Sequence, residues 1–229
     1  MGFLKRFFRN VFRDGTHTMT TSSFDDLSEE ALEAHLGVRQ YGDFVLTDAV
    51  RPSYDLQVIP HQGFRHDAYH DEDSQTSVPV LMAAASTEGV FETFMDLLDP
   101  LGPVADVVLE TSHDTAACRH VDLYREHIDM PVLKSVLWDY EELLTNDGCT
   151  GIAVLNPSIP HEVQFDEHKL LIVYGSELRE YEQTLRNHRL PCRDEMKFIT
   201  EAEHVHSTTD AFSEQFEQLR IRLGIDSFH

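Results

Sequence analysis

The chain has 229 residues, of which 41 are Asp or Glu and 18 are Lys or Arg, for a formal net charge of −23, and 41% of its residues are hydrophobic. That apolar fraction supports a packed core and excludes wholesale disorder, and the length fits one large domain with an appendage or two small domains. The acid excess repels phosphate backbones, whose recognition needs Lys and Arg, so nucleic acid is excluded as an expected partner.

The first thirteen residues, MGFLKRFFRNVFR, carry Lys5, Arg6, Arg9 and Arg13 and no acid. At helical spacing Phe3, Phe7 and Val11 share a side, with Leu4, Phe8 and Phe12 beside them, so an aromatic side separates from a cationic one. This predicts a basic amphipathic helix over 1–13 that docks to a membrane surface or a protein partner, tethered by a flexible polar linker at 14–23. Two other readings stay open: the segment covers the chain's own core, or it precedes a start at Met19. Its apolar run is too short to span a bilayer. Cys118, Cys149 and Cys192 are odd in number and form no C-x-x-C, which fits neither a disulfide framework nor a zinc knuckle. The expected location is therefore the cytoplasm, peripheral to a membrane if the head docks there.

Residues 24–77 read as a helix, short strands and an acidic loop. Ser28 caps a helix with Glu29 and Glu30 at its positive end and Gly37 as its stop. DFVLTDAV and YDLQVIP form two extended runs of a hairpin or edge pair, and HQGFRHDAYHDEDSQTS an exposed polar loop.

The core domain spans 78–229. VPVLMAAAS is a buried strand, and EGVFETFMDLLD a helix with Phe91, Phe94, Met95 and Leu98 on one face, broken by Pro100. VADVVLETSH is the next strand, and the stretch through Cys118 and His127 is ambiguous. Pro131 starts a helix with a stripe of Leu133, Val136, Leu137, Tyr140 and Leu144, and GIAVL is a third buried strand. HEVQF and HKLLIVYG make a hairpin, and Ser176 caps a helix carrying Leu178, Tyr181 and Leu185. EMKFITEAEHVH is the last strand and STTDAFSEQFEQLRIRLG the last helix. Strands apolar on both faces that alternate with helices predict an α/β (or α+β) fold with a mixed, partly parallel sheet covered by helices. The order strand, helix, strand, helix recurs near residues 78 and 168, as in a βαβα duplication; the alternative is a ferredoxin-like split βαβ.

The chain contains no Walker loop, dinucleotide-binding glycine motif, H-E-x-x-H or nucleophile elbow. Its 14 histidines are the unusual feature. His204 and His206 stand two apart on a predicted strand, so they share a face, roughly 7 Å apart at the backbone and within reach of one ion. His113 ends another predicted strand, and the duplication would bring it to them as a three-His site for a divalent metal, with Asp114, Glu201 or Glu203 nearby as ligand or base. The competing reading is that these histidines cap strand ends. His61, His66, Asp67, His70, Asp71, Glu72 and Asp73 hold ligand types without the EF-hand order, and read as a solvated loop. Cys118 and His120 could form half a site. Two functions follow: a soluble, non-catalytic interaction or regulatory protein docked by its head, which is favoured, or a metal-dependent, hydrolytic enzyme using His113, His204 and His206. Substrate, partner identity and oligomeric state are not written in the sequence.

Overall fold

The computed structural model describes residues 22–25, 27–71, 76–113 and 120–225. In chain order the elements are α1 (Glu29–Leu36), β1 (Gln40–Tyr41), β2 (Phe44–Val45), β3 (Val50–Pro52), β4 (Gly63–Asp71), β5 (Thr76–Ala84), α2 (Val90–Leu97), β6 (Val104–Thr111) and β7 (Val121–Asp129). They continue as α3 (Met130–Asp139), α4 (Glu141–Asn146), β8 (Thr150–Asn156), β9 (His161–Phe165), β10 (Leu171–Tyr174), α5 (Arg179–Asn187), β11 (His204–His206) and α6 (Asp210–Arg222). Seven strands form one sheet in the order β4-β5-β10-β9-β8-β6-β7, while β1 pairs with β2 and β11 with β3.

Alternation along the strands gives the sheet two faces. Leu81, Val107, Leu109, Ile152, Val154, Val163, Phe165, Leu171 and Val173 pack beneath helices α2 to α6, against Phe91, Phe94, Leu133, Leu137, Tyr181, Leu185, Phe216 and Leu219. On the other face Val80, Met82, Ala153, Ile172 and Tyr174 are covered by Phe44, Val50, Met196, Phe198 and Ile199. That cover stops short of β6 and β7, where Asp106, Glu110, Asp122, Tyr124, Glu126, Leu155 and Glu162 line an open groove of about 220 Å³.

The partly parallel sheet expected from the sequence is incorrect. Every strand pairing in the seven-stranded sheet is antiparallel. The helical connections do join strands that run the same way, β5 to β6 and β7 to β8, but they are not neighbours. β6 lies between β7 and β8, and β10, β9 and β8 lie between β5 and β6. Alternation of strand and helix in the chain therefore does not imply parallel pairing. The βαβα duplication does not describe the sheet, because β11 leaves it to pair with β3, and the ferredoxin-like alternative does not, because β10, β9 and β8 separate the strands β5 and β6 that α2 joins.

Two strands lie where the sequence shows no strand pattern: β4, in the predicted exposed loop, and β7, in the ambiguous stretch. They are the two edges of the sheet. Edge strands carry polar and charged side chains, which obscure the apolar alternation by which strands are recognised. YDLQVIP is not a strand, the last strand shrinks to His204–His206 after a 3-10 turn at Ile199–Glu201, and the helix expected from Ser176 begins at Arg179. Ser28 does cap α1, accepting a hydrogen bond from Ala31 N, and Thr209 caps α6 by accepting from Phe212 N. No helix among the described residues is long and apolar enough to cross a membrane.

Candidate metal centre

The turn between β9 and β10 is tied by one side chain. Asp166 Oδ1 accepts from His168 N at 3.0 Å and Leu170 N at 2.7 Å, and Lys169 N donates to Asp166 O. The remaining oxygen, Oδ2, lies 2.9 Å from His168 Nδ1. Both residues are buried, so the ring orientation of His168 is set by a carboxylate with no alternative partner in bulk water. Lys169 closes the turn with φ of 63° and donates its Nζ to Thr150 O at 2.7 Å. Burial lowers its pKa to about 8, against the pull of Asp147, Asp166 and Glu167.

β11 brings the other two rings. Its pairing with β3 places Val205 against Arg51 and sets His204 and His206 on one side. His204 Nδ1 lies 2.8 Å from Ala202 O, and His206 Nδ1 lies 2.7 Å from Gly148 O. His168 meets the other two rings edge to face, with centroids 4.9 Å from His204 and 4.8 Å from His206, and His204 and His206 are tilted against each other with centroids 5.1 Å apart. One ring nitrogen from each lies within 4.8 Å of the others. Because every Nδ1 faces an oxygen acceptor, the tautomer that donates from Nδ1 presents Nε2 as the ligating atom in all three.

Crowding favours the uncharged form of the two β11 rings. Burial, then the neighbouring His168 and His204, lowers the pKa of His206 to about 4, and burial followed by His168 lowers that of His204. Neutral imidazole is the metal-binding form. The centre passes from buried His168 through half-buried His204 to His206, whose ring is partly buried against Gly148 but whose residue is the most exposed of the three, so it opens to solvent on the His206 side. A cavity of about 20 Å³, lined by His168, Lys169, Phe44, Phe198 and Lys197 among others, adjoins its inner side.

Carboxylates stand next to the imidazoles. Burial raises the pKa of Glu167, with His168 and His120 pulling the other way. His120 reaches Glu110 at 3.4 Å, Glu167 at 3.6 Å and Asp122 at 3.7 Å; the hydrogen bond to Glu110 raises its pKa against burial. Glu162, nearby in the groove, is pushed up to about 8 by burial and by the charge of Glu110.

His204 and His206 thus come together as their spacing predicts, but His113 does not join them. It lies 2.9 Å from buried Asp147 and packs on Phe216, with ring centroids 5.6 Å apart. Burial would raise the pKa of Asp147, but hydrogen bonds from His113, Thr150 and Thr208 outweigh it and hold the carboxyl below its usual value. Neighbouring Cys149 is buried and its thiol pKa is raised, the opposite of an activated nucleophile. His168 is the third imidazole of the cluster, which the sequence spacing does not indicate; the visible signal is Asp166 two residues before a histidine in a hairpin turn. Glu201 is committed to Arg65 at 2.6 Å, and Glu203 accepts from Ser22 and Ser23. Asp114, Cys118 and the docking residues Phe3, Leu4, Lys5, Arg6, Phe7, Phe8, Arg9, Val11, Phe12 and Arg13 lie outside the described residues. No family model matches the chain, and no curated protein or solved structure matches it either.

Proposed function

We propose that His168, His204 and His206 hold a divalent ion of the zinc type and that the protein is a metal-dependent hydrolase. The observation that carries this reading is that three neighbouring imidazoles are each held through Nδ1 by an oxygen acceptor, one of them a buried carboxylate. Carboxylate–histidine and carbonyl–histidine contacts are how proteins orient metal-binding imidazoles and raise their basicity. Structural zinc sites are closed by four protein ligands, whereas three leave a position for water, whose pKa such an ion lowers to about 7.

The chain's own groups suit the rest of that chemistry. Burial raises the pKa of Glu167, beside His168, so this carboxyl holds a proton more readily than an exposed one, as a proton-transfer group does. Exposure on the His206 side gives a substrate access. The alternative, a docking or regulatory protein, rests on residues 1–13, whereas the described residues carry this site.

The test is metal content after equilibration with zinc and gel filtration, for the full chain and for His168→Ala and His204→Ala, with circular dichroism confirming the fold. The expected result is the loss of one zinc equivalent in each variant, together with loss of zinc-dependent hydrolysis across a panel of activated carboxylic and phosphoric esters. Unchanged metal content in folded variants overturns the site. Metal binding without turnover of any ester in the panel overturns the hydrolase.

A further inference from the structure

A second set of metal-ligand types lies elsewhere, on the helix-covered side of the sheet edge. Strand β4 and the segment 191–194 run side by side: Phe64 N donates to Pro191 O at 2.9 Å, and Arg193 N donates to Phe64 O at 2.8 Å. Gly63 permits this approach. Its φ is 148°, and a Cβ there would stand 2.8 Å from Pro191 O. The pairing sets Cys192, and Asp194 in the turn that follows it, beside His66, two residues beyond Phe64. Cys192 Sγ lies 3.8 Å from His66 Nδ1 and 3.6 Å from Asp194 Oδ1, and the three ligand atoms all lie within 4.8 Å of one another.

We infer that Cys192, His66 and Asp194 form a second site, independent of the three-imidazole centre, that binds a zinc-type ion through sulfur, nitrogen and oxygen. The spacing fits the ion. With Zn–S near 2.3 Å and Zn–N or Zn–O near 2.0 Å, tetrahedral coordination has edges of roughly 3.5 Å from sulfur to either partner. The two sulfur distances are within a few tenths of an ångström of that value.

The far side of His66 completes the arrangement. Its Nε2 lies 3.3 Å from Glu182 Oε2, and Glu182 is held by Arg186, which donates to Oε1 from Nε at 3.0 Å and from Nη2 at 2.6 Å. A carboxylate on the non-ligating nitrogen is the same device that Asp166 supplies to His168. The donor set excludes calcium and magnesium, which take oxygen, and suits zinc or a softer ion. In the metal-free state the thiol donates to Asp194; the ion takes the place of that proton, which passes to solvent. Exposed His66 and Asp194, with half-buried Cys192, leave a fourth position for water. The ion would join β4, the 191–194 segment and, through Glu182, helix α5, and so brace an exposed edge of the sheet.

Cobalt titration of the chelator-stripped full chain tests this, because a thiolate gives Co²⁺ a near-ultraviolet charge-transfer band that an all-imidazole centre does not. The expected result is such a band with the amplitude of one thiolate-bound cobalt per chain, complete by two equivalents of added cobalt, abolished in Cys192→Ser, retained in Cys149→Ser, Cys118→Ser and His168→Ala, and requiring at least tenfold more cobalt in Glu182→Gln. Absence of the band, or its survival in Cys192→Ser, overturns the assignment. Because the band reads sulfur alone, its outcome is separate from that of the imidazole centre.

Discussion

Asp166 engages His168 twice, through Oδ1 to its backbone N at 3.0 Å and through Oδ2 to its Nδ1 at 2.9 Å. The turn and the ligand orientation therefore depend on one carboxylate. Asp166→Asn retains the shape but removes the charge that raises the basicity of His168. Zinc affinity at the imidazole centre should fall about 10- to 100-fold, as read by competition with a chromophoric chelator.

The histidine cluster makes the metal-free protein sensitive to acid. His206 holds its folded pKa down at about 4, whereas in the unfolded chain it lies near 6.5. As pH falls from about 6.5 to 4 the unfolded chain takes up a proton that the folded chain refuses, so stability falls with it. The stabilisation is fully present above the unfolded value. Urea midpoints of the stripped protein at pH 7 and pH 5 should differ less in His206→Gln than in the parent.

Glu162 acts in the opposite direction. Its pKa, raised to about 8, means that the folded chain retains a proton that the unfolded chain releases near pH 4.5, so this group costs stability increasingly as pH rises between the two. Glu162→Gln imitates the protonated form. The substitution should leave stability near pH 4 unchanged and raise it at pH 8, with the gain growing over that interval in parallel denaturation curves.

Gly148 couples the three-imidazole cluster to the fold. Its carbonyl holds His206, its N–H donates to Ser207 O, and a Cβ on it would stand 2.3 Å from Ala49 O and 2.9 Å from Ser207 O. Both contacts are backbone and cannot rotate away. Gly148→Ala must displace β3 and β11 together, and should lower stability by about 1–3 kcal/mol while weakening zinc binding. Glu126→Ala, at an exposed position on β7, should do neither.

The sheet divides into legible and illegible strands by burial. β5, β8 and β10 lie inside it and read as apolar runs; β4 and β7 form its edges and carry His66, Asp67 and His70, or Tyr124, Arg125 and Glu126, on exposed backbone. The same contrast applies to the metal centre. His204 and His206 share a face because a strand repeats every two residues, which needs no knowledge of the rest of the chain.

Local periodicity, caps and apolar runs thus determined from the sequence which segments are strands and helices in the interior and which two imidazoles point together. They concern residues a few positions apart, whose geometry the backbone itself sets. The antiparallel order of the sheet, the choice of His168 over His113 as third imidazole, and the meeting of Cys192 with His66 were decided by the tertiary structure alone. Each depends on the pairing of distant segments: β11 on β3, the loop at Gly148 on Ser207, and 191–194 on β4. Such pairings are selected by how the whole apolar surface is buried, so they carry no local signature in the chain.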